Sequence, residues 1–139
     1  MEFVIVVGLV AVVAVAGALW KRGQGRVVAV SGHTISQDYR TPGKTMLLQF
    51  TTEMCSPCAQ LKPRLEKIAN FRSDVEYREL DAVEHLDLAN SLGIRSTPTT
   101  LVVSPNGIIT SRITGVAVAE VFINAIDGKS STTHEEITI

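Results

Sequence analysis

The chain opens with a long apolar run and then alternates between short apolar segments and amphipathic ones. Residues 3–20 contain no charged side chain. As an α-helix this run would be roughly 27 Å long, close to the hydrocarbon thickness of a bilayer. Trp20 suits the membrane interface, and Lys21 and Arg22 follow outside it. The pattern predicts a transmembrane anchor at residues 1–22.

A cleaved signal peptide and a buried core helix are the alternatives for this run. Small-x-small cleavage patterns occur at residues 14–16 and 16–18. However, the segment starts with Glu2 and has no basic residue before the apolar positions, whereas signal peptides begin with a basic region. The apolar run also continues past both patterns, so the anchor is the favoured interpretation.

The flanking charges predict the orientation of the anchor. Lys21, Arg22 and Arg26 follow the apolar run, and no Lys or Arg precedes it. Basic flanks favour the cytoplasmic side of a membrane. We therefore expect a single-pass protein of the cell membrane whose remaining chain is cytoplasmic; the extracytoplasmic side is the alternative.

The pattern after the anchor predicts a single α/β domain. Residues 23–44 are expected to form a linker with a candidate first strand at 27–30, residues 45–128 the domain, and residues 129–139 a disordered tail. Apolar alternation and helical spacing predict, in order, strand 45–51, a helix from Pro57, strand 75–80, helix 83–92, strands 99–103 and 108–114, and helix 117–126. This order predicts a mixed central sheet flanked by helices.

Net charge and cysteine content limit the classes of function that the chain can have. The net charge of −1 gives no support for a nucleic-acid partner. The chain has two cysteines, Cys55 and Cys58, which excludes a disulfide-rich scaffold. They stand between a predicted strand and a predicted helix, where the helix N-terminus favours a thiolate. This layout is typical of a thiol–disulfide redox centre.

A structural bridge and a zinc half-site are the other interpretations of the cysteine pair. Zinc would need two more ligands. His33, His85 and His134 are scattered and lack helical ligand spacing. We therefore expect no metal site.

Three motifs within residues 45–127 make the chain resemble thioredoxin. Residues 50–58, with both cysteines, are similar to the family's active-site segment. Pro63 matches the proline that kinks the family's active-site helix. Residues 93–99 are similar to the family loop that carries a cis-proline, here Pro98.

The resemblance implies a thioredoxin-like fold and a redox-active disulfide between Cys55 and Cys58. Cys55 is the expected nucleophile and Cys58 the residue that resolves the mixed disulfide. The implied partners are disulfide-containing protein substrates and a dithiol electron donor, of thioredoxin-reductase or another type, with no cofactor. The residues expected to bind substrate surround the pair: Met54, Ser56, Pro57, Thr97 and Pro98. A trans turn proline is the alternative for Pro98.

The chain departs from the family at the polar residues near the cysteines. Gln49 stands where the family has a buried Asp, and Tyr77 where it has a nearby Lys. An amide cannot accept a proton at neutral pH, so we expect Gln49 to slow the step carried out by Cys58. Glu53 could replace the missing Asp as a proton relay, or it is simply exposed.

These observations favour a membrane-tethered protein-disulfide reductase. Two alternatives stay open: an oxidase or isomerase on the extracytoplasmic side, and a non-catalytic thioredoxin-like interaction module. Redox cycling of Cys55 and Cys58 would distinguish the two enzymes from the interaction module. The side of the membrane on which the domain lies would distinguish the reductase from the oxidase or isomerase.

Overall fold

The N-terminal apolar run is helical in the computed structural model, which describes residues 1–23, 25–30 and 32–129. Helix α1 covers Glu2–Gly23. Its window Glu2–Leu19 is long and apolar enough to span a membrane, and none of it is buried. The side chains of Trp20 and Arg22 are not among those described, so the predicted interfacial role of Trp20 stays a prediction.

The remaining elements form a five-stranded mixed sheet with helices, as predicted. They are β1 (Arg26–Ala29), β2 (Thr45–Thr51), α2 (Ser56–Phe71), β3 (Val75–Asp81), α3 (Leu86–Ser91), β4 (Thr99–Val103), β5 (Ile109–Thr114) and α4 (Ala119–Ile126), with a 3₁₀ turn at Gln37–Tyr39. The strand order is β1-β5-β4-β2-β3. Strands β2 and β3 are parallel, and the other neighbours are antiparallel.

Strand β2 is buried on both faces, which explains its near-continuous apolar sequence. On one face Met46, Leu48 and Phe50 pack in a cluster that also contains Ala89 of α3. On the other face Leu47 packs with the apolar stripe of α2 and with α4. The members of this second cluster on the helices are Leu61, Leu65, Ile68 and Phe122. Helix α2 is thus fixed against the strand that leads into it.

Two helices begin later than the sequence predicted. The predicted helix 83–92 is observed as α3 at Leu86–Ser91. The Oδ1 atom of Asp81 accepts hydrogen bonds from the backbone N–H groups of Val83 and Glu84, so these residues form a turn before the helix. The predicted helix 117–126 is observed as α4, which begins at Ala119.

The segment expected as a linker contributes to the sheet and the core. Strand β1 pairs with β5, with Arg26 opposite Thr114. Ile35 is buried in the first cluster, and its backbone N–H donates to the Gly107 carbonyl oxygen. The predicted disordered tail, apart from Lys129, lies outside the described residues.

Candidate active site

Cys55 and Cys58 lie at the N-terminus of α2 and form a disulfide, with their Cα atoms 5.2 Å apart. Cys55 is the N-cap residue, and its Sγ accepts a hydrogen bond from the Cys58 N–H at 3.3 Å. Pro57 occupies the first turn, where its missing N–H breaks no helical hydrogen bond. The sequence therefore places Cys55 where backbone N–H groups and the helix dipole favour an anionic sulfur.

The two cysteines differ in exposure. Cys58 is 3% exposed, under the first turn of α2, whereas Cys55 is half-buried. Met54 beside them is 95% exposed, and Ser56 and Pro57 are exposed too. Cys55 is therefore the more accessible of the two cysteines.

The loop before β4 meets the cysteine loop. The Thr97–Pro98 peptide bond is cis. The Thr97 and Thr52 hydroxyl oxygens are 3.4 Å apart, which joins the two loops. Pro98 is buried, and its carbonyl oxygen accepts from the Gly115 N–H at 2.8 Å. The residues predicted to bind substrate therefore lie on two loops that contact each other, although they come from two distant parts of the sequence.

A chain of polar side chains runs behind the disulfide. Gln49 is fully buried; its Nε2 donates to the Cys58 carbonyl oxygen at 3.3 Å, and its Oε1 accepts from the Tyr77 hydroxyl at 3.0 Å. The same hydroxyl lies 3.0 Å from Oε2 of Glu79, so two acceptors share its proton. Burial, and then the hydrogen bond to Glu79, raise the pKa of Tyr77 well above its usual value, which keeps the phenol neutral.

An open cavity of about 460 Å³ lies beside both cysteines. Its charged lining residues come from the cysteine loop, from α2 and from the end of β3: Glu53, Lys62, Glu79, Asp81 and Glu84. Lys62 Nζ lies 3.4 Å from Oε1 of Glu79 and forms a salt bridge. Glu79 was not among the residues expected at the site, although Tyr77, Glu79 and Asp81 alternate along one strand and so share a face.

The scattered histidines do not join the site. The ring of His85 packs edge-on against Tyr39, with centroids 6.0 Å apart. Within residues 1–23, 25–30 and 32–129, no group of three or more His, Cys, Asp or Glu side chains is arranged to hold a metal ion. His134 lies outside the described residues.

Comparison with known proteins identifies relatives of this site and fold. The thioredoxin family model matches residues 26–128. Chloroplastic F-type thioredoxin of Spinacia oleracea is 33% identical over 93 residues, which are 66% of this chain and 48% of that protein. The thioredoxin of Mycoplasma genitalium is 32% identical over 72 residues, which are 52% of this chain and 70% of that protein. The match therefore spans about half the length of the spinach relative.

Solved structures agree on the fold. A mutant thioredoxin of Halobacterium salinarum superposes with a TM-score of 0.60 at 24% identity. The match covers 72% of this chain and 87% of that one.

Proposed function

We propose that this chain, which belongs to the thioredoxin family, is a protein-disulfide reductase tethered to a membrane. The observation that carries the proposal is the asymmetry of the cysteine pair: Cys55 is accessible at a helix N-terminus and Cys58 is buried one turn further on. This asymmetry suits thiol–disulfide exchange, because one sulfur must be accessible to attack the substrate, whereas the other attacks only after the mixed disulfide has formed.

The reaction uses two exchanges. The Cys55 thiolate attacks one sulfur of a substrate disulfide, forms a mixed disulfide and releases the other substrate sulfur as a thiolate. Cys58 then loses its proton and attacks the Cys55 sulfur. This closes the Cys55–Cys58 disulfide and releases the second substrate sulfur. Two electrons reach the substrate, and a dithiol donor restores the two thiols by the reverse exchanges.

The substrate is held by the rim around Cys55. Met54, Ser56 and Pro57 supply the exposed surface on the cysteine side. The half-buried Thr97 supplies the other side, with the buried Pro98 directly behind it in the chain, and the Thr52–Thr97 contact keeps this side close. An extended peptide segment that carries the substrate disulfide fits between these two loops. The reaction requires no cofactor, since both electrons come from the cysteine pair.

Contacts near the end of α1 support a position of the active site close to the bilayer. The Gly25 N–H donates to the Thr114 carbonyl oxygen at 2.8 Å, and the next residue, Gly115, donates to the Pro98 carbonyl oxygen. The chain thus enters the sheet at the end where the active site lies, two positions after α1 ends at Gly23. We propose that residues 1–22 anchor the protein, that the domain faces the cytoplasm, and that its substrates are disulfides near the membrane.

Trapping tests this function. In Cys58→Ser the mixed disulfide cannot be resolved, so membranes from cells that express the variant should contain adducts of Cys55 with substrate proteins, and dithiothreitol should release them. The matched control, Cys55→Ser, should give none. Absence of adducts from Cys58→Ser would contradict the proposed function.

Fractionation of the same membranes tests the tether. The full chain should stay in the membrane pellet after an alkaline wash, and protease should reach the domain only from the cytoplasmic side of sealed vesicles. Release of the full chain by the wash would contradict the anchor. Digestion only from the opposite side would reverse the orientation and favour an oxidase or isomerase.

A further inference from the structure

The second exchange needs a proton acceptor that the family resemblance does not supply. Before Cys58 can attack, its thiol must lose a proton, and burial of a thiol disfavours the thiolate. Gln49 contacts Cys58 from behind, but its amide donates to the Cys58 carbonyl and cannot take a proton. An acceptor must therefore reach the Cys58 sulfur from another direction.

The cavity beside the disulfide provides four carboxylates, and one of them is held in place from two sides. Oε1 of Glu79 is paired with Lys62, and Oε2 accepts from Tyr77. Lys62 lies one helical turn after Cys58 on α2, so the salt bridge holds Glu79 against the helix face that carries Cys58. Asp81 instead caps the turn that follows β3. Glu53, Glu79 and Glu84 are all exposed, but of these three described residues only Glu79 has a side-chain salt bridge or hydrogen bond.

We propose that Glu79 accepts the proton of Cys58 through water in this cavity and passes it to solvent; the inference rests on the proposed function. The cavity volume of about 460 Å³ is ample for several water molecules. The balance is simple: the S–H bond of Cys58 breaks, and a new S–S bond to Cys55 forms. The leaving substrate sulfur carries away the electron pair, and the proton moves to the carboxylate.

The surroundings of Glu79 are acidic apart from Lys62. Helix α2 contributes Lys62 and Glu66, and β3 itself contributes Tyr77 and Asp81. Strand β2 contributes only the neutral Gln49 and Thr51. Glu53 and Glu84 stand on the flanking loops and line the cavity. This surplus of carboxylates attracts a proton released by Cys58, and Lys62 ties the Glu79 carboxylate to α2.

Rapid mixing of the reduced full chain in detergent with 5,5′-dithiobis(2-nitrobenzoate) separates the two exchanges. The first thionitrobenzoate is released when Cys55 is modified, and the second when Cys58 resolves the mixed disulfide. Glu79→Gln should leave the first release unchanged. It should slow the second by about 100-fold or more at pH 7, the lower end of the range for general acid–base catalysis. The deficit should shrink as the pH rises, because hydroxide ion increasingly replaces the carboxylate as the proton acceptor.

Two matched variants complete the test. Glu84→Gln removes a carboxylate from the same cavity and should release both equivalents as the wild type does. Glu79→Asp keeps a carboxylate and should recover part of the second release. A wild-type rate and pH profile in Glu79→Gln would overturn the inference and leave the function intact. Equal defects in the Gln and Asp variants at every pH would also overturn it. If the wild-type chain releases no second thionitrobenzoate, both the role of Glu79 and the proposed function are wrong.

Discussion

The side-chain amide of Gln49 donates a hydrogen bond across 3.3 Å to the backbone carbonyl oxygen of Cys58. A fully buried, neutral side chain therefore fixes the first turn of α2 from below. The same amide leaves the resolving cysteine without a proton acceptor behind it, because an amide does not take up protons at neutral pH. Gln49 thus stabilises the site, and we predict that it also limits the second exchange.

Replacing Gln49 by Asp should make the second exchange faster and the folded protein less stable. The carboxylate can accept a proton close to Cys58, so the Cys58 step should accelerate, by up to about tenfold. The hydrogen bond to the Cys58 carbonyl is lost and a charge is buried, so the free energy of unfolding should fall by about 1–3 kcal/mol. Stopped-flow kinetics and urea unfolding measure the two effects.

Gln49→Asn is the control for the Gln49→Asp variant. It shortens the side chain but keeps an uncharged amide, so it should not accelerate the Cys58 step. A Cys58 step that is no faster in Gln49→Asp than in the wild type would reject the view that Gln49 slows resolution.

Tyr77 should ionise only well above the usual tyrosine pKa of about 10. Burial and the hydrogen bond to Glu79 raise the pKa of Tyr77, so folding favours the neutral phenol. The stability gained in this way is fully present below the usual tyrosine pKa of about 10. It is lost as the pH rises through the higher value in the folded protein.

An ultraviolet absorbance titration of the folded chain measures this difference. The Tyr77→Phe variant should lose the late component, and its stability should fall less steeply above about pH 10 than that of the wild type. Ionisation of Tyr77 near pH 10 in the wild type would contradict its buried, hydrogen-bonded position.

Phe122 should be essential to the packing of α4 on the sheet. It is fully buried in the cluster with Leu47 and Leu61, whereas Phe71 at the end of α2 is 79% exposed. Phe122→Ala should lower the free energy of unfolding by about 3–5 kcal/mol through lost burial and a cavity. Phe71→Ala should change it by about 0.5 kcal/mol or less. Urea unfolding measures the free energy of unfolding of the two variants. Equal decreases in Phe122→Ala and Phe71→Ala would contradict the observed difference in burial.

The sequence was sufficient to predict the parts of the fold that depend on local pattern. The apolar run of β2 and the helical stripe of α2 predicted how Cys55 and Cys58 are presented, and the structure has both elements there. The limits of α3 were wrong because the side chain of Asp81 binds the backbone ahead of the helix. Such a contact competes with helix formation and leaves no trace in the apolar periodicity.

The polar network could not be predicted, because it depends on register between distant strands. Gln49 lies opposite Glu79 in the β2–β3 pair, and Tyr77 lies two residues before Glu79. Only the parallel pairing of these strands brings the Tyr77 hydroxyl between the amide and the carboxylate. The pairing of β1 with β5 likewise depends on tertiary contacts, since a four-residue strand does not specify its neighbour.

The equilibrium reduction potential of the Cys55–Cys58 pair tests the central claim most directly. The full chain in detergent would be equilibrated with glutathione or dithiothreitol buffers, and the fraction of disulfide measured by thiol alkylation. A potential near or below about −250 mV is typical of a thioredoxin-type reductant, and we predict a value in that range. A potential above about −200 mV would contradict the account and favour an oxidase or isomerase on the other side of the membrane.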